Sequence, residues 1–151
     1  PNTPAMVKRG ITAVYPTEKV TDAQKNTISQ LLSAVGKVVW LDSEDQIDLV
    51  TGVSGSGPAY VFYMTETLKE AGKAAGLTEE LAEQLAIATV CGAGELMHQS
   101  GEDPAILRQN VTSPNGTTAA ALDVLMSESG IQPIMTEAVA AAVKRAKELA
   151  G

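Results

Sequence analysis

From Asp45 to the end of the chain, every hydrophobic pattern has the spacing of an α-helix, with apolar residues three or four positions apart. Several of these helices lack a clear polar face, notably around Gly92–Gly94 and Ala138–Ala142, where small residues occupy most sides. A helix that is small or apolar all round is usually buried. In a domain this small, part of that burial has to come from a second chain. The pattern therefore predicts an intimate homodimer.

The segment Thr51–Gly57, which reads TGVSGSG, separates the first two of these helices. It lacks a preceding strand, the third glycine of a dinucleotide-binding loop and the lysine of a P-loop, so it does not predict a nucleotide site. We interpret it as a break between helices, with Ser56 as an N-cap and Pro58 at an early helical position. Six helices are predicted over about 43–53, 58–76, 78–97, 102–111, 118–130 and 133–147.

The chain has 151 residues with a formal net charge of −7, and 44% of its residues are hydrophobic but only 3% are aromatic. This length suits one domain, or a piece of a larger protein, with a sizeable core that is aliphatic and rich in alanine. An acidic chain is a poor partner for nucleic acid or an anionic membrane surface, since both bind clustered Lys and Arg. No apolar run is long enough to cross a bilayer, so no membrane partner is expected.

Histidine and cysteine are too scarce to build a metal site. Cys91 is the single cysteine, which excludes an internal disulfide and indicates a reducing, cytoplasmic location. His98 is the single histidine, about two helical turns further on, and both side chains are expected to be buried or at an edge. Zinc binding and Ser-His catalysis are therefore not expected. Any reactive group would have to come from a cofactor.

The first 44 residues have a different character. Ile11–Tyr15 and Lys37–Leu41 have the composition of short strands, and a capping-box sequence at Thr21 opens a helix between them. A strand, a helix and a strand at this spacing predict a βαβ unit. Two strands do not form a stable sheet alone. Because the chain also opens on Pro1–Pro4 without a methionine, we expect it to be a fragment.

The most distinctive polar stretch is Thr112–Thr118, which reads TSPNGTT and runs directly into the helix-forming stretch Ala119–Leu125. Asn and Gly tolerate positive φ, so a turn here can aim successive backbone N–H groups into one concavity. Such a concavity at a helix start attracts anions, because the first N–H groups lack internal partners and the helix dipole is positive there. With its hydroxyl groups, the stretch suits a small carboxylate ligand. The alternative is that Ser113 or Thr117 simply caps the helix.

Three stretches together resemble the pyrroline-5-carboxylate reductases of proline biosynthesis. They are Pro1–Ala5, Val53–Tyr60 and Pro104–Leu125, in this order and at these spacings. The resemblance covers essentially the whole chain but only the latter part of the family's protein, because the family's glycine-rich dinucleotide loop is not in this sequence. The third stretch matches the family signature at Pro104, Leu107, Asn110, Val111, Ser113, Pro114, Gly116, Thr117, Thr118 and Leu122.

The resemblance implies hydride transfer from NADPH or NADH to the imine of 1-pyrroline-5-carboxylate, giving L-proline. It also implies a mainly α fold, in which a strand-helix-strand remnant of a Rossmann-type α/β domain precedes an all-helical, interleaved dimerisation domain. Residues 1–44 are then the end of the dinucleotide-binding domain, and residues 45–151 bind substrate and form the homodimer, which assembles further in some members. Most of the cofactor site would be absent, so this chain is expected to be inactive by itself.

The resemblance also assigns roles within Thr112–Thr118. Ser113 and the N–H groups of Gly116 and Thr117 resemble the family's carboxylate cradle. Thr118 resembles the hydroxyl that meets the ring nitrogen of the substrate, and it is the residue expected to be catalytic. We favour a positioning role for it, because a threonine hydroxyl is a poor acid near neutral pH.

Two further features follow from the same resemblance. Asn2 and Thr3 follow a strand end that lies near the nicotinamide in the family, so they are expected to contribute to cofactor binding. The family commonly has Gly-Gly where this chain has Asn115 and Gly116, a difference that asparagine accommodates if residue 115 is left-handed.

Two other interpretations stay open. The chain could be a non-catalytic helical dimerisation module that binds a small carboxylate. It could also be the helical domain of another dehydrogenase that acts on hydroxy acids or imines. Such a scaffold would ordinarily offer a catalytic lysine near the site, and Thr112–Thr118 contains none.

Overall fold

The computed structural model describes residues 1–151 and shows seven α-helices and one small sheet. A 3₁₀-helix, Thr3–Val7, precedes the first strand, and a π-helix, Thr51–Gly55, follows the second α-helix. This confirms the expected fold class, a strand-helix-strand unit followed by helices. The regular elements are β1 Gly10–Val14, α1 Asp22–Ser33, β2 Gly36–Trp40, α2 Gln46–Val50, α3 Gly57–Ala74, α4 Glu79–Ser100, α5 Pro104–Asn110, α6 Thr117–Leu125 and α7 Ile131–Ala150.

The chain divides into two compact units. The first unit consists of Pro1–Tyr60 together with Thr136–Gly151, and the second unit is Val61–Met135. Each unit is described by itself below. The predicted domain boundary between residues 44 and 45 concerns a different division of the chain and stays a prediction.

In the first unit, β1 and β2 are parallel neighbours, paired from Gly10 opposite Gly36 to Val14 opposite Trp40. The connection between them is α1, whose start has the predicted capping box. The Thr21 hydroxyl accepts from the Gln24 N–H at 3.3 Å, and the Gln24 side chain accepts from the Thr21 N–H at 2.9 Å. The predicted βαβ unit is therefore confirmed, with both strands one residue earlier than expected.

The segment Thr51–Gly57 is not the break between helices that we expected. Thr51–Gly55 forms a π-helix, and the Ser56 N–H donates to the Thr51 C=O five residues earlier, at 2.9 Å. Ser56 itself has helical angles, φ −82° and ψ −24°, so it does not cap α3. Pro58 is the second residue of α3, as predicted. The chain thus stays helical through a segment whose composition is typical of a loop.

Within the first unit, the π-helix packs closely against α7. Gly52 is buried, and a Cβ placed on it would lie 2.5 Å from Cγ2 of Val143 and 3.2 Å from the C=O of Val139. Because real Cβ atoms do not come so close to their neighbours, only glycine allows this approach.

In the second unit, α3 and α4 form a hairpin held by a cap and by ion pairs. The Thr78 hydroxyl accepts from the Leu81 N–H at 3.3 Å, which confirms Thr78 as the start of α4. Across the hairpin, the Lys69 ammonium lies 3.3 Å from the Glu79 carboxylate and 3.6 Å from that of Glu83. Both carboxylates are more than half exposed, so these ion pairs contribute little to stability.

The predicted boundary between the last two helices is wrong. α6 ends at Leu125 rather than near Gly130, and α7 begins at Ile131 rather than near Pro133. The intervening residues turn tightly, because the Gly130 N–H donates to the Ser127 C=O at 2.9 Å. A Cβ on Gly130 would overlap the Leu125 carbonyl, so the turn needs glycine there. Serine also favours turns over helix interiors, which explains the early end of α6.

A sizeable core within one chain was expected, and the structure contradicts this. The buried apolar residues are Ala82 and Ala86, each 2% exposed, whereas large side chains such as Phe62 and Val124 are 61% and 70% exposed. The helix around Gly92–Gly94 is also open, since nothing lies within 4 Å of a Cβ placed on either glycine. The apolar sides of these helices are therefore not covered by their own chain.

Two smaller expectations concern single side chains and the membrane. Cys91 and His98 are exposed on α4 rather than buried or at an edge. The helices of this chain all lack either the length or the apolar character needed to cross a membrane.

Candidate functional site

The turn between α5 and α6, residues 111–116, is built by local hydrogen bonds. The Thr112 hydroxyl donates to the Arg108 C=O at 2.6 Å, which ties the start of the turn to the last turn of α5. The Gly116 N–H donates to the Ser113 C=O at 3.0 Å, which closes the other end. Between them, Asn115 has φ +58° and lies in the left-handed region. Asparagine is one of the few residues that adopt this conformation readily, so the Asn-Gly pair fits the turn.

The start of α6 has no side-chain cap. Its N-cap residue is Gly116, with φ −81° and ψ 173°, and no side chain accepts from the first helical N–H groups. The alternative in which Ser113 or Thr117 caps the helix is therefore wrong. Along α6, the first backbone N–H with an acceptor in the chain is that of Ala120, which donates to the Gly116 C=O at 3.2 Å.

Three successive N–H groups, those of Thr117, Thr118 and Ala119, thus have no acceptor within the chain. Buried or partly buried donors of this kind need a partner, and at a helix start the dipole favours an anion as that partner. Thr118 and Ala119 are both partly buried. The geometry therefore supports the predicted anion-binding helix start.

Apart from the Thr112 hydroxyl, the hydroxyl groups of the turn and of the first residues of α6 are also unoccupied. Those of Ser113, Thr117 and Thr118 make no hydrogen bond within the chain. Most helical hydroxyls elsewhere in the molecule donate back to a carbonyl three or four residues earlier, which removes them from other use. Those that do so are on Thr27, Ser33, Thr51, Ser54, Thr65 and Thr67.

Gly116 leaves room for the Ser113 side chain because glycine has no side chain of its own. A Cβ placed on it would overlap the Ser113 hydroxyl and would lie 3.1 Å from the Ser113 carbonyl oxygen. The Ser113 side chain therefore occupies the space above the glycine. The Gly116 N–H is already used by Ser113, so the free donors begin one residue later; direct binding of substrate by the Gly116 N–H stays a prediction.

Asn2 and Thr3, the residues predicted to contribute to cofactor binding, lie in the first unit. The Asn2 side chain is engaged at both ends: its Oδ1 accepts from the Ile11 N–H and its Nδ2 donates to the Ser54 C=O, each at 3.0 Å. Thr3 begins the 3₁₀-helix, is exposed, and has no hydrogen-bond partner for its hydroxyl within the chain. Their role in cofactor binding stays a prediction.

The resolved pKa shifts belong to an ion pair between α3 and α4. The hydrogen bond between Lys69 and Glu79 raises the pKa of the lysine and lowers that of the glutamate, so each stabilises the charged form of the other. No group of three or more His, Cys, Asp or Glu side chains is placed to hold a metal ion. The N–H groups and hydroxyls at the start of α6 are hydrogen-bonding groups, so a hydride would have to come from a bound cofactor.

The contacts made by Ser54 and Tyr60 were not predicted from the sequence. The Tyr60 hydroxyl donates to the Gly52 C=O at 3.0 Å, and Ser54 offers its carbonyl to Asn2. Both carbonyls belong to the π-helix. The one sequence signal is the proximity of Tyr60 to TGVSGSG, which does not identify the bond.

Comparison with known proteins places these features in a family. A family model described as pyrroline-5-carboxylate reductase dimerisation matches residues 44–149. A pyrroline-5-carboxylate reductase from Pseudomonas aeruginosa is 45% identical over 150 residues, which is 99% of this chain and 55% of the relative. One from Synechocystis is 46% identical over 149 residues, again 99% of this chain and 55% of the relative. The chain spans about half the length of the curated relatives it matches.

Solved structures give the same result. A pyrroline-5-carboxylate reductase from Coxiella burnetii matches with a TM-score of 0.92 and 46% identity, covering 99% of this chain and 55% of that one. The NADP-bound pyrroline carboxylate reductase of Plasmodium falciparum matches with a TM-score of 0.83 and 31% identity, covering 100% of this chain and 61% of that one.

Proposed function

Because the chain belongs to the pyrroline-5-carboxylate reductase family, we propose that it is the substrate-binding and dimerising part of a reductase that converts 1-pyrroline-5-carboxylate to L-proline with NADPH or NADH. The observation that carries this proposal is the start of α6, where three N–H groups and three hydroxyls are free of internal partners. A small carboxylate with an adjacent ring nitrogen needs this combination of donors. The proposed activity is that of the complete protein.

In the proposed complex, the substrate carboxylate lies at the start of α6. The N–H groups of Thr117 and Thr118 donate to its oxygens, and the Ser113 hydroxyl adds a third donor. Donors fixed by the backbone need no reorientation when the ligand arrives, which favours binding. The helix dipole adds an attraction for the negative charge.

Thr118 orients the reacting end of the substrate. When the imine carbon accepts hydride, the ring nitrogen becomes an amine, so its hydrogen-bonding needs change during the reaction. The Thr118 hydroxyl is free to donate to this nitrogen or accept from it. Because a threonine hydroxyl is a poor acid, the proposed role is to position a nitrogen that is protonated from solution.

The cofactor would supply the hydride. In this chain, the residues proposed to contact NADPH or NADH are Thr3, whose hydroxyl is exposed and unpaired, and the backbone of Asn2. The resemblance places these two residues just after a strand end near the nicotinamide. In this chain they precede the parallel pair β1 and β2. The cofactor's other contacts are proposed to come from outside this sequence.

We further propose that the chain forms a homodimer through its helices. The matched family model is a dimerisation domain, and large apolar side chains on α3, α6 and α7 are exposed in the single chain. Examples are Phe62, Val124 and Ile134, which are 61%, 70% and 63% exposed. Assembly beyond the dimer and a cytoplasmic location are part of the same proposal. Sedimentation tests the dimer, and a folded monomer at micromolar concentration would refute it.

The activity is tested by assaying the protein encoded by the complete reading frame that contains this sequence. Reduction of 1-pyrroline-5-carboxylate, followed as NADPH oxidation, is the expected result, and its absence with both NADPH and NADH contradicts the proposal. The 151-residue chain alone is the matched control and is expected to show no turnover. If it binds L-proline without cofactor as tightly as the complete protein does, a non-catalytic carboxylate-binding module is the better description.

A further inference from the structure

The Asn2 side chain joins two parts of the chain that are far apart in sequence. Its Oδ1 accepts from the Ile11 N–H, nine residues away, and its Nδ2 donates to the Ser54 C=O, 52 residues away, each at 3.0 Å. Asn2 is partly buried, so both bonds are shielded from water on at least one side. One amide group thus connects the N-terminal segment to β1 and to the π-helix.

The π-helix is held in place by the same part of the molecule. The Tyr60 hydroxyl donates to the Gly52 C=O at 3.0 Å, and the Gly52 backbone packs directly against Val143 of α7. A π-helix is a less favourable bonding pattern than an α-helix, and such segments occur frequently at functional sites. Ser54 is therefore a fixed point to which the N-terminal segment is attached.

The segment from Asn2 to Ile11 is closed into a loop by these bonds. Within it, the Ala5 N–H donates to the Asn2 C=O at 3.1 Å and the Arg9 N–H donates to the Pro4 C=O at 3.0 Å. Thr3 begins this loop and its exposed hydroxyl makes no bond within the chain. The position of Thr3 thus depends on its neighbour Asn2.

We propose that Asn2 is a positioning residue for the cofactor side of the reaction, which it serves by fixing Thr3 relative to β1 and the π-helix. This rests on the proposed function, since it takes NADPH or NADH as the ligand. From the resemblance, Asn2 and Thr3 are both expected to contribute to cofactor binding; this proposal gives the two residues different roles. The Asn2 side chain forms hydrogen bonds within the protein, whereas the Thr3 hydroxyl stays available to bond the ligand.

The amide is suited to this task because it provides one acceptor and one donor in a single plane. An aspartate in its place keeps the acceptor for the Ile11 N–H but loses the donor to Ser54. An alanine loses both. The two substitutions therefore separate the bond to β1 from the bond to the π-helix.

The test uses the complete protein and measures the Kd of NADPH by fluorescence titration, the KM of each substrate, and amide hydrogen exchange at Ile11. For Asn2→Ala we expect a rise in the Kd and KM of NADPH of about tenfold, corresponding to loss of roughly one hydrogen bond between the displaced Thr3 hydroxyl and the cofactor. The KM of the imine should change by less than about twofold, within the usual spread for a site that is not contacted. Exchange at the Ile11 N–H should accelerate.

For Asn2→Asp we expect the Ile11 N–H to stay protected while the Kd of NADPH rises as in Asn2→Ala. This measurement is made at raised salt, where repulsion between the new carboxylate and the cofactor phosphates is screened. If Asn2→Asp binds NADPH like the wild type, the bond to Ser54 has no positioning role and the proposal is wrong. This variant also keeps the proposal testable if Asn2→Ala does not fold.

Tyr60→Phe is the matched control, because it removes a bond to the π-helix without touching Asn2. Because the packing of Gly52 against Val143 still holds the π-helix in this variant, we expect a lower melting temperature and an unchanged Kd of NADPH. An equal rise in the Kd for Tyr60→Phe would show that any loosening of the π-helix has this effect, which overturns a specific role for Asn2. If the wild-type protein neither binds NADPH nor reduces the imine, the proposed function itself fails. If the wild type does both and Asn2→Ala still binds NADPH normally, only the present inference fails.

Discussion

The backbone N–H of Gly116 donates to the C=O of Ser113 over 3.0 Å, and the turn closed by this bond puts the Ser113 hydroxyl where a side chain on residue 116 would begin. A side chain on residue 116 would therefore compete with the Ser113 hydroxyl for the same space, and the proposed substrate site needs the hydroxyl there.

Gly116→Ala should weaken substrate binding without straining the backbone. The angles at Gly116, φ −81° and ψ 173°, suit any residue, so the effect comes from displacement of the Ser113 hydroxyl. Loss of one hydrogen bond to a carboxylate predicts a rise in the KM of the imine of about tenfold. Steady-state kinetics of the complete protein measure it. In a Ser113→Ala background the same change should have little further effect, and full additivity would contradict the shared space.

Asn115 should tolerate glycine but not a β-branched residue. Its φ of +58° is left-handed, which costs most L-residues roughly 1–2 kcal/mol. Asn115→Val should therefore lower the free energy of unfolding by about that amount, or more because of its branched side chain. Asn115→Gly should stay within about 1 kcal/mol of the wild type. Urea denaturation measures both, and equal stability of the two variants would mean that the turn does not need this conformation.

Thr118→Ala should reduce kcat/KM by about tenfold, the loss of roughly one hydrogen bond in the transition state. Thr118→Ser keeps the hydroxyl and should retain most of the activity. The comparison is made by initial rates with saturating NADPH. If Thr118→Ala is as active as the wild type, the hydroxyl does not meet the ring nitrogen. If the loss is confined to KM, the hydroxyl acts in binding alone.

Gly52→Ala should destabilise the first unit. The new methyl group would lie 2.5 Å from Val143 Cγ2, a contact that overpacks the junction between the π-helix and α7. Overpacking of this kind typically costs about 1–3 kcal/mol. Val143→Ala should recover part of the loss in the double variant. Thermal denaturation measures the coupling, and the absence of any recovery would mean that the backbone atoms of α7, not the valine, define the contact.

The ion pair between Lys69 and Glu79 predicts a pH dependence of stability at both extremes. The pKa of Glu79 is lowered by its hydrogen bond with Lys69, so its contribution is present above the ordinary glutamate pKa of 4.5 and is lost as pH falls through the folded-state value. The pKa of Lys69 is raised above 10.5 by the same bond, so its contribution is complete below that value and is lost as pH rises through the higher one.

The measurement is the melting temperature of wild type and Glu79→Gln as a function of pH. The wild type should be slightly more stable near neutral pH, and the two curves should converge in strong acid. Glu80→Gln is the matched control, because Glu80 also lies in the first turn of α4 but takes part in none of the ion pairs of the hairpin. If Glu80→Gln has the same effect, the helix dipole rather than Lys69 is the cause.

Features determined by neighbours in the sequence could be predicted. The capping box at Thr21 and the cap at Thr78 use residues three positions apart, and both are present as expected. The parallel pair β1 and β2 follows from the strand-helix-strand order. The Asn-Gly turn before α6, with its left-handed Asn115, was also predictable because the turn and the helix that follows are both local. Anion binding at this helix start stays a prediction.

Features that depend on distant partners could not be predicted. The π-helix is stabilised by hydrogen bonds from Asn2 to Ser54 and from Tyr60 to Gly52. The composition of TGVSGSG does not indicate either bond. The alanine-rich pattern predicts burial, but it does not tell whether the covering surface belongs to the same chain, and in the single chain the helix around Gly92 and Gly94 is open. The end of α6 at Leu125 depends on the close approach of Gly130 to the Leu125 carbonyl, which is a property of the folded turn.

The uncapped start of α6 also has a practical consequence for the assay buffer. Three unpaired N–H groups attract negative charge without recognising the atom at its centre, so sulfate and phosphate compete with a substrate carboxylate. An apparent KM measured in phosphate buffer would then include the affinity of the buffer anion. Kinetic constants for the proposed site should therefore be compared in a zwitterionic buffer at a low and constant concentration of all anions, chloride included.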